Sequence, residues 1–484
     1  MKYPVVNNFI DGKQVAGNCE LLEVFSPING KLISKVPMCG AKAVDDAVKA
    51  AQTAQPAWGA LTMRERVQVF YRYKFLLEEN ADKMAQLVHE ENGKTLGEAQ
   101  AEIEKSIEIT EFACSLPQLT AGEIQEVSRG VECRTQRVPL GVVACITPFN
   151  FPNMVPNWTI PIALALGNAM VLKPSEVVPL STQLLADLLA EAGLPPGILN
   201  LVHGGREVVE ALCDHPKISA VSFVGSTRVA RLVYARAASN LKRCLALGGA
   251  KNHLIVLPDA HVDMTASNVA ASISGCAGQR CMAASAMVAV AGSDHIIHRL
   301  CEEARKIIPG VNLGSVISAE AKERIEGYIT QAEQQGAKVL VDGRGAQVPG
   351  NEGGYYVGPT VIDHVKPNMA IATEEVFGPV LAILRADTLE DALAIENDSE
   401  YGNAAAVFTQ SGGLAKRVME GASAGMVGVN IGVPVPREPF SFGGWNESRF
   451  GSGDITGKSS IDFWSQLKKI TTKWNPEDQI NWMS

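Results

Sequence analysis

Between residues 141 and about 260 the chain alternates short apolar runs with helical stretches, and this rhythm constrains the fold more than any other feature. Gly141 to Ile146, Ala169 to Leu172, Ile198 to Val202 and Ile218 to Val224 read as short buried strands. Ser181 to Ala192 and Arg206 to Cys213 carry apolar residues at helical spacing between them. Strands linked through helices lie parallel, and the helices then cover both faces of the sheet. The expected class is therefore α/β with doubly wound parallel sheets.

A chain of 484 residues is too long for one core, so two or three domains are expected. Residues 41 to 57, 62 to 79 and 80 to 112 read as helices, and a second α/β run extends from about 252 to 445. Val127 to Val138 alternates around Gly130 like an exposed hairpin, and Gln466 to Trp474 alternates like a final strand. The expected units are 1–118 with 140–248, then 249–445, with 119–139 and 446–484 forming a small β element and tail.

Composition narrows the function classes. Net charge is −9 and no Lys/Arg block occurs, which argues against nucleic acid or an anionic membrane as partner. The longest apolar stretch, Trp158 to Leu172, is broken by Pro161, Gly167 and Asn168 and is too short to span a bilayer. The ten cysteines include no C-x-x-C pair, and Met1 to Asn8 lacks the apolar core of a secretory signal. A reduced cytoplasmic enzyme without a metal site is expected.

Among those thiols Cys281 stands apart, in Gly275-Cys276-Ala277-Gly278-Gln279-Arg280-Cys281-Met282. The neighbouring Arg280 favours the nucleophilic thiolate, and the glycines leave room for a ligand. Thr147-Pro148-Phe149-Asn150-Phe151-Pro152 follows a strand, where ligands of open parallel sheets bind, and the Asn150 amide can donate to a developing oxyanion. Lys173-Pro174-Ser175-Glu176 ends the next strand; a lysine and a carboxylate there suit ribose hydroxyls, and the carboxylate repels a 2′-phosphate. Gly225 and Ser226 open a helix whose N-terminus favours phosphate. Glu374-Glu375-Val376-Phe377-Gly378-Pro379 adds a carboxylate and an aromatic ring in the second half.

In this order and spacing the five motifs resemble the NAD(P)-dependent aldehyde dehydrogenase superfamily over nearly the whole chain. Gly249-Ala250-Lys251-Asn252-His253, Gly278 to Ala283 and Phe440-Ser441-Phe442-Gly443-Gly444-Trp445 are similar to its methylmalonate-semialdehyde dehydrogenase branch, which transfers the acyl group to CoA. The resemblance implies NAD as cofactor, CoA as co-substrate and a homo-oligomer, dimer or tetramer. It implies Cys281 as nucleophile, with Asn150 and the Cys281 N–H as oxyanion donors. Lys173 and Glu176 then hold the adenosine ribose and Ser226 the pyrophosphate, while Thr147, Phe149, Val177 and Gly248 line the cleft. Glu375 reaches the nicotinamide ribose with Phe377 beside the ring, and Arg280 with Lys105 grips the substrate carboxylate.

Two departures bear on the chemistry. Ala246-Leu247-Gly248-Gly249 has alanine where hydrolytic members carry a water-activating glutamate, and a thiol such as CoA needs no such base near neutral pH. Lys105 stands where the branch carries an arginine; it keeps the charge but cannot form a planar bidentate contact. The leading expectation is oxidation of a malonate- or methylmalonate-type semialdehyde to acetyl-CoA or propionyl-CoA with loss of CO2. The alternatives are a hydrolytic enzyme that draws its base from Glu374 or Glu375, and a non-catalytic protein on the same scaffold.

Overall fold

The computed structural model describes residues 1–474, so the part of the expected tail beyond them lies outside the described residues. An eight-stranded sheet organises the first α/β unit. Five parallel strands form its middle, in the order Leu199–Leu201, Ala169–Lys173, Val142–Ile146, Ile218–Val224, Arg243–Leu247. These strands are buried on both faces, which is why they read as continuous apolar runs rather than alternating ones. Chain order reverses between Val142–Ile146 and Ile218–Val224, a topological switch point that opens a crevice at the strands' carboxyl ends.

Ala41–Ala60 packs against this sheet, while Met63–Glu79, Ala81–Asn92 and Leu96–Cys114 pack on one another and on the helices Met154–Ala165 and Leu180–Glu191, in the same core. The single helical stretch expected over 80–112 is thus two helices. Gly93, at φ 89°, ends the first in the left-handed region, and Thr95 caps the second with Glu98.

The second unit holds a seven-stranded sheet, in the order Lys338–Val341, Thr360–Asp363, Val380–Ala386, Ala284–Val290, Asn252–Val256, Ala404–Phe408, Met426–Val429. Every neighbouring pair except the first is parallel. A separate three-stranded antiparallel sheet joins Ile124–Ser128, Val131–Pro139 and Ser465–Lys473, the last two in register from Ser465↔Pro139 to Lys473↔Val131. Not all of the segment after residue 446 is tail. Arg449–Gly451 returns to the first sheet beside Arg243–Leu247, and Gly457–Trp464 is a helix that buries Trp464 in the first core.

Candidate active site

The loops at the carboxyl ends of the first sheet and the segments leading into the second sheet's strands enclose one cavity of about 1190 Å³. Thr147, Phe149 and Asn150 reach it from the end of Val142–Ile146, Lys173 and Glu176 from the end of Ala169–Lys173, and Ser226 from beyond Ile218–Val224. Gly248, Cys281, Glu375 and Phe377 complete the set. Residues far apart in sequence are brought together because both sheets point their loops at one gap.

The cavity also sorts the candidates. Val177 lies outside its lining and is surface-exposed, within a turn whose next residue, Val178, is buried. Lys105 and Arg280 are likewise not part of the wall. Lys105 Nζ lies 2.6 Å from Glu438 and 3.0 Å from Glu108, so its charge is already matched. Arg280 donates to the carbonyls of Ala271 and Ser272, both at 3.0 Å, in the last turn of the helix Val262–Ser274. The carbonyl end of a helix attracts cations, which accounts for this orientation.

Asn150 is buried, and its Nδ2 donates to the Gln279 carbonyl at 3.0 Å, two residues before Cys281. The Cys281 carbonyl accepts from Asn252 Nδ2 at 2.7 Å and Asn403 Nδ2 at 2.9 Å. Asn252 and Asn403, at the starts of two strands of the second sheet, thereby hold the Cys281 backbone. Nothing in their sequence surroundings marks that role, because it depends on which strands become neighbours.

The Cys281 thiol has its pKa raised, contrary to the thiolate expected beside Arg280. Burial pushes the Cys281 thiol up to about 12, and the Glu375 carboxylate adds to the shift. Its own N–H, the Arg280 charge and the Met282 N–H pull the other way and are outweighed. Glu375 is also desolvated, which raises its carboxyl to about 7 against the opposing Ala250 N–H and the charges of Lys251 and Arg324. Its Oε1 accepts from Ala250 N at 3.0 Å. Lys251 donates to the carbonyls of Ile371 at 2.7 Å and Glu374 at 3.0 Å, fixing the segment that presents Glu375. Glu374 itself is exposed, bonded to the Tyr328 hydroxyl and absent from the cavity wall.

At the other end of the cavity the residues suit a dinucleotide. Lys173 Nζ meets Glu176 Oε2 at 2.7 Å at the strand mouth. Ser226 precedes the helix Thr227–Ser239 without spending its side chain on a cap, leaving hydroxyl and helix N–H groups for a phosphate. Phe149 and Phe377 meet edge to face at 5.8 Å between ring centroids. Ala246 is fully buried within its strand, beside Phe223 and Phe450, and contributes no polar group to the cavity.

The sequence pattern of the aldehyde dehydrogenase family matches residues 15–470. The chain belongs to the aldehyde dehydrogenase family. Among relatives of this aldehyde dehydrogenase is the malonate-semialdehyde dehydrogenase of Pseudomonas aeruginosa, 42% identical over 478 residues, covering 97% of this chain and 96% of the relative. The acylating mitochondrial methylmalonate-semialdehyde/malonate-semialdehyde dehydrogenase of Rattus norvegicus is 41% identical over 483 residues, covering 98% and 90%. A crystal structure from Sinorhizobium meliloti 1021, of a candidate methylmalonate-semialdehyde dehydrogenase complexed with NAD, superposes with a TM-score of 0.96 at 41% identity, covering 98% and 99%.

Proposed function

We propose that this aldehyde dehydrogenase oxidises a short acidic semialdehyde of the malonate or methylmalonate type with NAD and transfers the acyl group to CoA. The observation that carries the reading is that Cys281 and Asn150 line one cavity whose wall receives no carboxylate from Ala246. Bound NAD supplies the hydride acceptor. The Cys281 thiol gives its proton to the Glu375 carboxylate, whose charge acts on it, Sγ attacks the aldehyde carbon, and Asn150 Nδ2 with the Cys281 N–H stabilises the oxyanion. Departure of the hydride leaves a thioester on Cys281. The CoA thiolate then attacks the acyl carbon, and the Cys281 sulfur leaves. A malonyl-type product gives acetyl-CoA or propionyl-CoA by loss of CO2. Lys173 and Glu176 orient the adenosine ribose, Ser226 the pyrophosphate, Glu375 the nicotinamide ribose, and Thr147, Phe149, Gly248 and Phe377 border the cofactor.

For the distal carboxylate the reading uses Arg280, whose Nε is buried with no partner among the described residues. Lys105 would serve by exchanging Glu438 for substrate. The same reading has the protein working in the cytoplasm as a dimer or tetramer through the three-stranded sheet, whose outer strand exposes Ile124 and Val127. No helix among the described residues is long and apolar enough to cross a membrane.

One observation favours hydrolysis instead: Glu375 lines the cavity with a carboxyl near 7, suited to a water-activating base. Rapid mixing with malonate semialdehyde, with and without CoA, separates the two. A burst of one NADH per site, then slow turnover that CoA restores, supports acyl transfer; sustained free-acid production without CoA rejects it.

A further inference from the structure

The helix Leu96–Cys114 belongs to the first α/β unit, yet its first two turns hold loops from both sides of the cavity. Lys94, just before it, extends Nζ to Glu102 Oε2 at 2.5 Å and to the Asn150 carbonyl at 2.5 Å. The same ammonium stands 3.8 Å from the centroid of the Phe151 ring. The side chains of Lys94 and Glu102 are 1% and 0% exposed. Glu102 Oε1 accepts from Asn153 N at 2.8 Å and Met154 N at 3.0 Å, at the start of the helix Met154–Ala165. The turn carrying Asn150 is thus gripped on both sides by one buried ion pair.

One turn earlier, Glu98 divides its carboxylate. Oε2 closes the capping box with Thr95, while Oε1 accepts from Cys276 N at 2.6 Å. Cys276 and Ala277 both adopt φ 52°, ψ 36°, the left-handed region that side chains other than glycine enter at a cost. Such a turn persists only where its surroundings over-determine it. This one lies in the loop that ends at Cys281, and Glu98 reaches it from the opposite unit.

We infer that Lys94, Glu98 and Glu102 are positioning residues: together they set the Asn150 amide against the Cys281 thiol across the gap between the two units. They touch no reacting atom. The inference rests on the proposed roles of Cys281 and Asn150, and is independent of the acyl acceptor and of the substrate's distal group.

Glu98→Ala removes the acceptor for the Cys276 N–H, whereas Glu98→Gln keeps a carbonyl oxygen there. The pair Lys94→Met with Glu102→Leu removes both buried charges at once and so leaves neither unpaired. The measurements are the NADH burst rate with a short aldehyde, the NAD dissociation constant, the melting temperature, and the iodoacetamide alkylation rate of the Cys281 peptide by mass spectrometry. Misplacing reacting groups by about 1 Å costs on the order of 10²-fold. The expected result for Glu98→Ala is a burst slowed at least about ten-fold, NAD affinity within about two-fold of wild type, and a changed alkylation rate. Glu98→Gln should recover most of each, and the double variant should repeat the slow burst. A Glu98→Ala protein with wild-type burst and alkylation rates overturns the inference, as does a Glu98→Gln protein no better than Glu98→Ala. If the double variant does not fold, the two Glu98 variants decide alone. Alkylation needs no aldehyde, so a wild type that showed no burst would reject the proposed function while this readout still tested the positioning.

Discussion

At Cys281 two demands oppose each other. In the proposed reaction Cys281 must ionise, yet its burial keeps the thiol protonated, near 12. The carboxylate whose charge acts on it, Glu375, has its own pKa raised to about 7 and becomes a competent proton acceptor only above that value. The burst rate should therefore rise as pH passes through about 7 and then level off. Glu375→Gln should abolish that inflection and leave a rise only at high pH, where the thiol itself titrates; stopped-flow rates from pH 5.5 to 9 check this, and an unchanged inflection rejects Glu375 as acceptor. Asn150→Ala removes one oxyanion donor and should slow acylation by roughly 10²–10³-fold. Circular dichroism and the melting temperature should show that protein folded. A smaller loss would mean that the Cys281 N–H suffices.

Among the elements, the break between Ala81–Asn92 and Leu96–Cys114 matters most, because it aims Lys94 and Glu98 at the cavity loops. Gly93 makes the break at φ 89°, and a Cβ there would meet Pro27 Cγ at 2.9 Å as well as Ser315. Gly93→Ala should cost about 1–2 kcal/mol from the left-handed backbone alone, with steric strain added. Denaturant titration should show a lower midpoint at an unchanged slope; an unchanged midpoint would mean the turn relaxes freely. Other helix limits were readable in advance. Arg206–Asp214 and Leu180–Glu191 fall within a residue of their apolar patterns. The 80–112 stretch was not, because a glycine inside a helical pattern reads equally as a tolerated interior residue or a cap, and packing against Pro27 and Ser315 chooses.

At the scale of the molecule, burial also sets the response to acid. His203 and His253 are enclosed and held uncharged, lowered to about 3 and about 4, by desolvation first and then by Lys173 and Lys251 respectively. Both ionise more readily when unfolded, so the unfolded chain binds more protons below about 6.5 and stability falls as pH drops from there. By pH 5 the loss should be on the order of 2 kcal/mol per histidine, leaving neutral pH little affected. Melting temperatures from pH 7 to 5 check the slope, and His253→Leu should flatten it; an identical slope in that variant would place the acid sensitivity elsewhere.

The local pattern determined much of this protein by itself. Strands buried on both faces must be apolar throughout, and crossovers must be helical, so the α/β class was readable from residues 141 to 260. Cys281 and Asn150 stood out as well, because each lies in a short local motif, and both line the cavity. What tertiary structure decided was every relation between distant segments. It brought the starts of the second sheet's strands, with Cys281, Asn252, Glu375 and Asn403, to face the carboxyl ends of the first. It kept Cys281 a thiol despite Arg280, since desolvation depends on everything packed around a group and not on its neighbour in sequence. It turned Arg280 and Lys105 toward the Ala271 and Ser272 carbonyls and Glu438. And it made Glu98 and Glu102, one helical turn apart and indistinguishable in sequence from a solvated face, the acceptors for the Cys276 and Asn153 N–H groups in the loops that carry Cys281 and Asn150, because a carboxylate's partners are fixed only when the chain has closed around it.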